Sequence, residues 1–334
     1  MRDAPTDLWT RRTFVAASVS LALPQSEARS SHRQTKHRVG LLVSAGYEPM
    51  IVAFRAELAR LGYDDGRNVR LHVREWESNA EDAAGPASEL VRRGIGLVVA
   101  GALPQALAVR SLVPAMPMVI VTCPGMVSNG FANSLARPGR NVTGMDELPP
   151  GVTARRLALL KTLAPMVSRV GLLSTTPGRG GHEIQLADAI AAARRLGVEV
   201  KAYRVNSVDE LERALEAMIA DGMNGLATFQ GRLSLANRER IVGFAAEHRL
   251  PAVYQATLFA EAGGLMAWAP DLIDQYRTAA HYVKAILAGS RPGDLPIRYP
   301  HPYYLTINAH TAHDLGLTIP AELRTQAQRI LGCA

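Results

Sequence analysis

Between Val39 and Tyr254, short apolar runs alternate with amphipathic ones, and that alternation leaves few folds open. Val39–Ser44 (VGLLVS) has no polar face, as in a strand buried on both sides of a parallel sheet. Gly46 breaks it and Pro49 opens a helix. Met50, Phe54, Leu58 and Leu61 then recur at three to four residues until Gly62. Asn68–Val73 alternates like a strand and Ala80–Arg92 is helical up to Gly94. Ile95–Ala100, Pro104–Ser111 and Met118–Thr122 continue as strand, helix, strand. The sum is an α/β sheet of parallel strands with helices on both faces.

Pro124 to Pro150 interrupts the rhythm with Pro138-Gly139 and Pro149-Pro150 turns around a short strand, Asn141–Gly144. The rhythm restarts with helix Thr153–Leu163, strand Arg169–Leu173 and helix Glu183–Leu196. Strand Glu199–Arg204, helix Val208–Ala220 and strand Gly225–Thr228 follow, then helix Ala236–His248 and strand Ala252–Tyr254. This predicts a second parallel sheet, so two Rossmann-like lobes with a cleft between them. The strand inside Gly263–Trp268 is expected to carry the chain back to the first sheet, ahead of helix Leu272–Leu287. Strand Tyr303–Ile307 follows, then Asn308 as N-cap of Thr311–Leu315 and a last helix, Ala321–Ile330. The lobes are expected over 38–144 plus about 269–299, and over 145–262 plus about 303–330. Three hinge crossovers fall near 141–150, 263–268 and 299–305.

At 334 residues the chain is long enough for two cores. Its net charge of +7 is concentrated early. Residues 1–28 are neutral in sum, Arg29, Arg33, Lys36 and Arg38 add four positives, and +3 remains from Val39 onward. A basic tail of this kind is no argument for a nucleic-acid partner. No run of 18 apolar residues occurs, so the mature protein is not expected to span a membrane. Cys123 and Cys333 form neither a disulfide framework nor a metal set. Arg11-Arg12, the apolar run Phe14–Leu23, Pro24, and the small residues Ser26 and Ala28 resemble a bacterial twin-arginine export signal cut near Ala28. The alternative is an unstructured N-terminus with a chance Arg-Arg pair. Export would place the protein in the periplasm, with residues 29–37 as a disordered tail and no cytosolic cofactor.

The chain has no G-x-G-x-x-G after a strand, no nucleotide P-loop and no G-x-S-x-G elbow. Gly178-Arg179-Gly180-Gly181 lacks the Lys and Ser/Thr of a phosphate loop and reads as a flexible lobe-two loop near the cleft, the alternative being an anion contact at the following helix. His310 and His313 have no third metal ligand in sequence. What remains are the loops after the carboxyl ends of the strands, where open parallel sheets bind ligands. In lobe one these offer Ser44, Ala45 and Tyr47, then Gly101 and Ala102, then Thr122 and Cys123. In lobe two they offer Thr175, Phe229, Gln230, Tyr254 and Gln255. Trp268 and Asp271 complete the candidate ligand-binding set, Asp271 either pairing with a ligand amine or capping the helix from Leu272. Neutral hydrogen-bonding groups beside aromatic faces suit an uncharged or zwitterionic organic solute.

Longer motifs point to a family. GGLMAWAPDLIDQYRTAAHYVKAILAGSRPGDLPI (263–297) and YYLTINAHTAHDLGLTIP (303–320) resemble the ABC-transporter substrate-binding protein family. So do FRAELARLGYDDGRNV (54–69), SLARPGRNVTG (134–144) and RLALLKTLAP (156–165). The resemblance implies a type I periplasmic-binding fold with three crossovers and a hinge, no catalysis, a small-molecule solute and an ABC permease in the inner membrane as partner. Some members look like receptors for aromatic amino acids. Cys123-Pro124-Gly125, Thr175-Thr176 and Trp268-Ala269 depart from the family pattern, so the ligand does not carry over. The alternatives are a periplasmic sensor subunit for a membrane signalling protein and a two-lobed enzyme.

Overall fold

The computed structural model describes residues 37–76, 84–175, 181–229 and 231–332. The predicted export signal, most of the predicted tail, Gln230 and Cys333 lie outside them. The chain begins with β1 (His37–Ser44), α1 (Glu48–Arg60), β2 (Val69–Trp76), α2 (Ala84–Arg92), β3 (Leu97–Ala102), α3 (Leu103–Leu112), β4 (Met118–Cys123) and β5 (Val142–Asp146). These strands make one parallel sheet in the order β2-β1-β3-β4-β5. Alternate strand residues face opposite layers. Leu42, Val98 and Ile120 pack under α2 and α3, while Leu41, Val43, Val99 and Val119 pack under α1.

The second lobe holds α4 (Val152–Leu163), β6 (Arg169–Ser174), α5 (Gly181–Leu196), β7 (Glu199–Arg204), α6 (Val208–Ala220) and β8 (Gly225–Thr228). It continues through α7 (Arg232–Ala236), α8 (Arg238–Glu247), β9 (Ala252–Tyr254), α9 (Thr257–Glu261) and β10 (Met266–Pro270). The chain then makes α10 (Leu272–Leu287), β11 (Tyr303–Asn308), α11 (Ala309–Asp314), α12 (Ala321–Gln326) and β12 (Arg329–Leu331). The second sheet has the order β12-β11-β10-β9-β8-β6-β7.

Two expectations are corrected here. The strand after Gly263 does not rejoin the first sheet. β10 is held on both sides within the second, parallel to β9 and antiparallel to β11. The return to the first lobe is made by α10, whose Tyr276, Ala279, Ala280 and Val283 pack with Ile51, Phe54 and Leu58 of α1. Because β11 enters from the lobe-one side, it runs against β10, and the second sheet is mixed at that one pair. The predicted last helix also stops early. Ala327 is extended (ψ 125°), and Arg329–Leu331 pairs beside β11 instead.

Three chain passages therefore link the lobes: residues 147–151, 270–271 and 299–302. Around the first, Gly144 takes a left-handed φ of 136°, and a Cβ there would lie 2.0 Å from the Ile120 carbonyl oxygen. Only glycine lets β5 press this closely against β4.

Candidate functional site

The carboxyl ends of β1, β3 and β4 are adjacent in one sheet, and those of β6, β8 and β9 in the other, so each lobe presents a rim. Among the described residues, Pro124 and Gly125 of the first rim stand close to Gly181 and Ile184 of the second. A Cβ added to Gly181 would sit 3.2 Å from Pro124, and one added to Gly125 would sit 3.6 Å from Ile184.

In the first rim Ser44 accepts from Gln105 Nε2 at 3.2 Å, and Thr122 donates to the Gly101 carbonyl at 2.8 Å. Gln105 is wholly buried and its Oε1 has no partner among the described residues. Ala45 is exposed and extends the β1–β2 ladder, and Ala102 starts α3 in extended backbone. Tyr47 stands before α1 with its ring edge-on to Tyr276, the centroids 6.4 Å apart. Burial pushes the Tyr47 phenol up to about 12, and the nearby Glu147 charge adds to the shift. Gly101 leaves room for the Tyr276 hydroxyl, which an added Cβ would meet at 2.6 Å. Cys123 is fully buried. Desolvation, with Asp146 and Glu147 nearby, holds its thiol well above the usual range, so it stays protonated and is no nucleophile. Asp146 organises the loop beyond it, accepting from Gly125 N at 3.1 Å, Met126 N at 2.8 Å and Leu148 N at 3.0 Å. Burial raises its pKa while these three bonds pull it down.

The second rim is a closed polar net. Ser234 N donates to Thr175 Oγ1 at 3.1 Å, Gln255 Nε2 donates to Ser234 Oγ at 3.0 Å, and Thr228 donates to Gln255 Oε1. His182 stands beside it. Arg204 Nε donates to His182 Nε2 at 2.7 Å, so Nδ1 carries the proton and donates to Ser174 Oγ at 2.7 Å. Burial and then Arg204 lower this imidazole's pKa, in keeping with a neutral ring. Phe229 and Tyr254 are core side chains. Phe229 packs against the His182 ring at 5.7 Å, and Tyr254 stacks on Phe259 at 4.7 Å.

Trp268 packs against Tyr303 with the rings tilted by 34° and their centroids 4.5 Å apart, and lines a hollow of about 290 Å³ with Arg155, Leu159, Leu305, Gln326 and Gln328, beneath α4 and α12. A larger hollow, about 360 Å³, lies between α1 and β2 in lobe one, lined by Glu48, Ile51, Arg55, Val73, Arg74 and Glu75. Asp271 caps α10, accepting from Asp274 N at 3.1 Å.

The sequence reading missed the charge. Glu147, on the first crossover, donates its N–H to the Cys123 carbonyl at 3.0 Å, and its own carbonyl accepts from Tyr303 Oη at 3.2 Å. Arg156, in α4, is wholly buried, and its Nε donates to the Trp268 carbonyl at 3.1 Å. Arg156 was visible as a cation on the apolar stripe of its helix, one turn before Leu160 and two before Leu163. Glu147 gave no periodic signal, because it lies in irregular chain. Among the described residues no three His, Cys, Asp or Glu side chains could hold a metal, and no helix is long and apolar enough to cross a membrane.

Two α/β lobes, three crossovers and facing strand ends define a type I periplasmic binding protein. The profile described as ABC transporter substrate binding protein matches residues 48–331, and the chain belongs to that family. A curated relative, the tyrosine-binding protein of Clostridioides difficile (strain R20291), is 22% identical over 77% of this chain and 73% of its own length. An ABC domain in complex with L-Trp from Streptococcus pneumonia aligns with a TM-score of 0.81 at 23% identity, covering 89% of this chain and 100% of that one. The ligand-free, open structure of a substrate-binding protein with adhesive properties from Clostridium difficile aligns at 0.68 and 18%, covering 88% and 99%. Membership of the family implies a small-molecule solute, a permease partner and export from the cytoplasm.

Proposed function

We propose that this protein is the periplasmic receptor of an ABC importer, exported by its twin-arginine signal, and that it captures an amino acid, an aromatic one first among the candidates. The carrying observation is the pair of polar rims that meet at Pro124 and Gly181 above three crossovers. Solute enters the open cleft, the lobes rotate about the crossovers, and closure buries it. Ser44, Tyr47, Gly101 and Thr122 contact it from one lobe, Thr175 and Gln255 from the other. The aromatic preference draws on the relatives that carry tyrosine-binding or L-Trp in their descriptions. The protein performs no turnover, and the closed form is what the permease recognises.

A thermal-shift screen of the purified chain against the twenty amino acids, nucleosides, sugars and aromatic acids tests this. A solute at a hundred times its Kd adds about 2.7 kcal/mol of stability. L-tryptophan or L-tyrosine is expected to shift the melt, and small-angle scattering with the same solute is expected to register contraction. Chemical conversion of the bound solute would overturn the proposal, as would the absence of a shift with every compound.

A further inference from the structure

Arg156 is buried without enough partners. It is 1% exposed, and only Nε is engaged. Among the described residues Nη1 and Nη2 have no hydrogen-bond acceptor. A guanidinium has five N–H donors in a planar fork, so four of them have no partner among the described residues. Burial lowers its pKa to about 10, which leaves it charged at neutral pH. The acidic groups around it do not meet this need. Asp188 Oδ2 already accepts from Thr153 N at 2.8 Å and Ala154 N at 3.1 Å, and neither Asp188 nor Glu147 bonds to the guanidinium.

Its position makes the shortfall informative. Arg156 bonds to Trp268, just before the second crossover. Its electrostatic neighbours are Tyr303, at the end of the third, and Glu147, which opens the first. The fork therefore lies beside all three passages between the lobes. A buried cation with unmet donors is strongly unfavourable, and an oxyanion on Nη1 and Nη2 removes that cost through two parallel charge-assisted bonds.

We propose that Arg156 is the anion anchor of this cleft and takes the two oxygens of a carboxylate on the solute. The inference rests on the solute-receptor reading above and narrows it to carboxylate-bearing solutes. It also supplies a reason for closure to depend on solute. Closing over Arg156 without an anion buries an unpaired charge, so the closed state gains differentially when the carboxylate arrives.

The test compares the purified chain with Arg156→Met, which keeps an apolar stem at this position and loses the fork. Each of the twenty L-amino acids is titrated beside its carboxamide, and inorganic phosphate and galactose are run as further probes. The expected result is that an amino acid binds the natural chain, that its carboxamide binds about 100-fold more weakly, and that Arg156→Met loses binding to a similar degree. Solute-free Arg156→Met is expected to melt at or above the natural chain, because an unpaired buried cation is gone. Equal binding of acid and carboxamide would overturn the inference. So would retained affinity in Arg156→Met together with a lowered solute-free melt, the signature of a purely structural arginine. Phosphate binding lost in Arg156→Met would keep the anion anchor and reject the carboxylate. Binding of galactose alone would leave the receptor reading standing and reject this one. If nothing binds, the receptor reading fails, and a solute-free Arg156→Met that melts lower would overturn the anchor as well, while one that melts higher supports it.

Discussion

Gly101→Ala measures how tightly α10 is keyed into the first sheet. A Cβ at residue 101 would lie 2.6 Å from the Tyr276 hydroxyl, 3.2 Å from the Leu42 carbonyl oxygen and 3.4 Å from Val43 Cα. The two backbone contacts are tight but tolerable. The hydroxyl overlap, roughly 0.8 Å inside an ordinary carbon–oxygen separation, has to be relieved by tilting a ring that is wholly buried between α1 and the sheet. Overpacking of this kind costs about 1–3 kcal/mol. Tyr276→Phe alone removes a buried hydroxyl with no partner among the described residues, so it should be neutral or stabilising by up to ~1 kcal/mol. In the double variant the new methyl meets a ring edge in place of the oxygen. Most of the cost disappears, a coupling of about 1–2 kcal/mol. Thermal melts of the four solute-free proteins read this directly, because 1 kcal/mol moves the melt of a protein this size by roughly 2–4 °C. Additive melting temperatures would refute the contact as the reason for glycine at 101.

Asp271→Ala should cost about 1 kcal/mol by removing the α10 cap, Asp271→Asn should keep most of it, and solute affinity should stay unchanged in both. A fall in affinity without a fall in melting temperature would make Asp271 a ligand group instead. Glu57 joins α1 to α10 through His281 at 2.7 Å, and its bonds to Arg60 and His281 lower its carboxyl to about 2. A depressed carboxylate stabilises above its unfolded pKa, so the advantage of the natural chain over Glu57→Gln should be full above about pH 4.5 and fade as pH falls toward 2. A gap independent of pH across that window would contradict it. Asp146→Ala leaves three backbone N–H groups without their acceptor and should destabilise by about 2–4 kcal/mol, with calorimetry as the check. Gly181→Trp places a ring against Pro124, so solute-induced contraction in small-angle scattering should shrink or vanish. Unchanged contraction would mean the rims do not approach there.

Much of the architecture could be read from residue order. Val39–Ser44 and Arg169–Leu173 are apolar on both faces, and burial on both faces is what a helix-covered parallel sheet requires. Ser44 closes β1, Thr122 lies next to the end of β4, and Thr175 follows β6. The reading failed where burial has more than one cause. Phe229 and Tyr254 end strands, yet their rings turn into the core, and adjacency in sequence cannot tell a rim-facing ring from a core one. Trp268 closes the expected strand, but it lies in the middle of β10 and packs beneath α4.

Local pattern alone thus determined the strand–helix alternation, the break into two lobes, the cap at Asn308, and the family. Those features depend on neighbours a few residues apart, which the chain states directly. Only the tertiary structure decided that Met266–Pro270 pairs in the second sheet, that Arg329–Leu331 is a strand, and that Tyr47, Glu147, Arg156 and Tyr303 converge where the lobes join. Periodicity reports that a residue is buried. It does not report against what, because the partner is supplied by distant chain brought close by folding, and for Arg156 that missing partner is the observation that points to the solute.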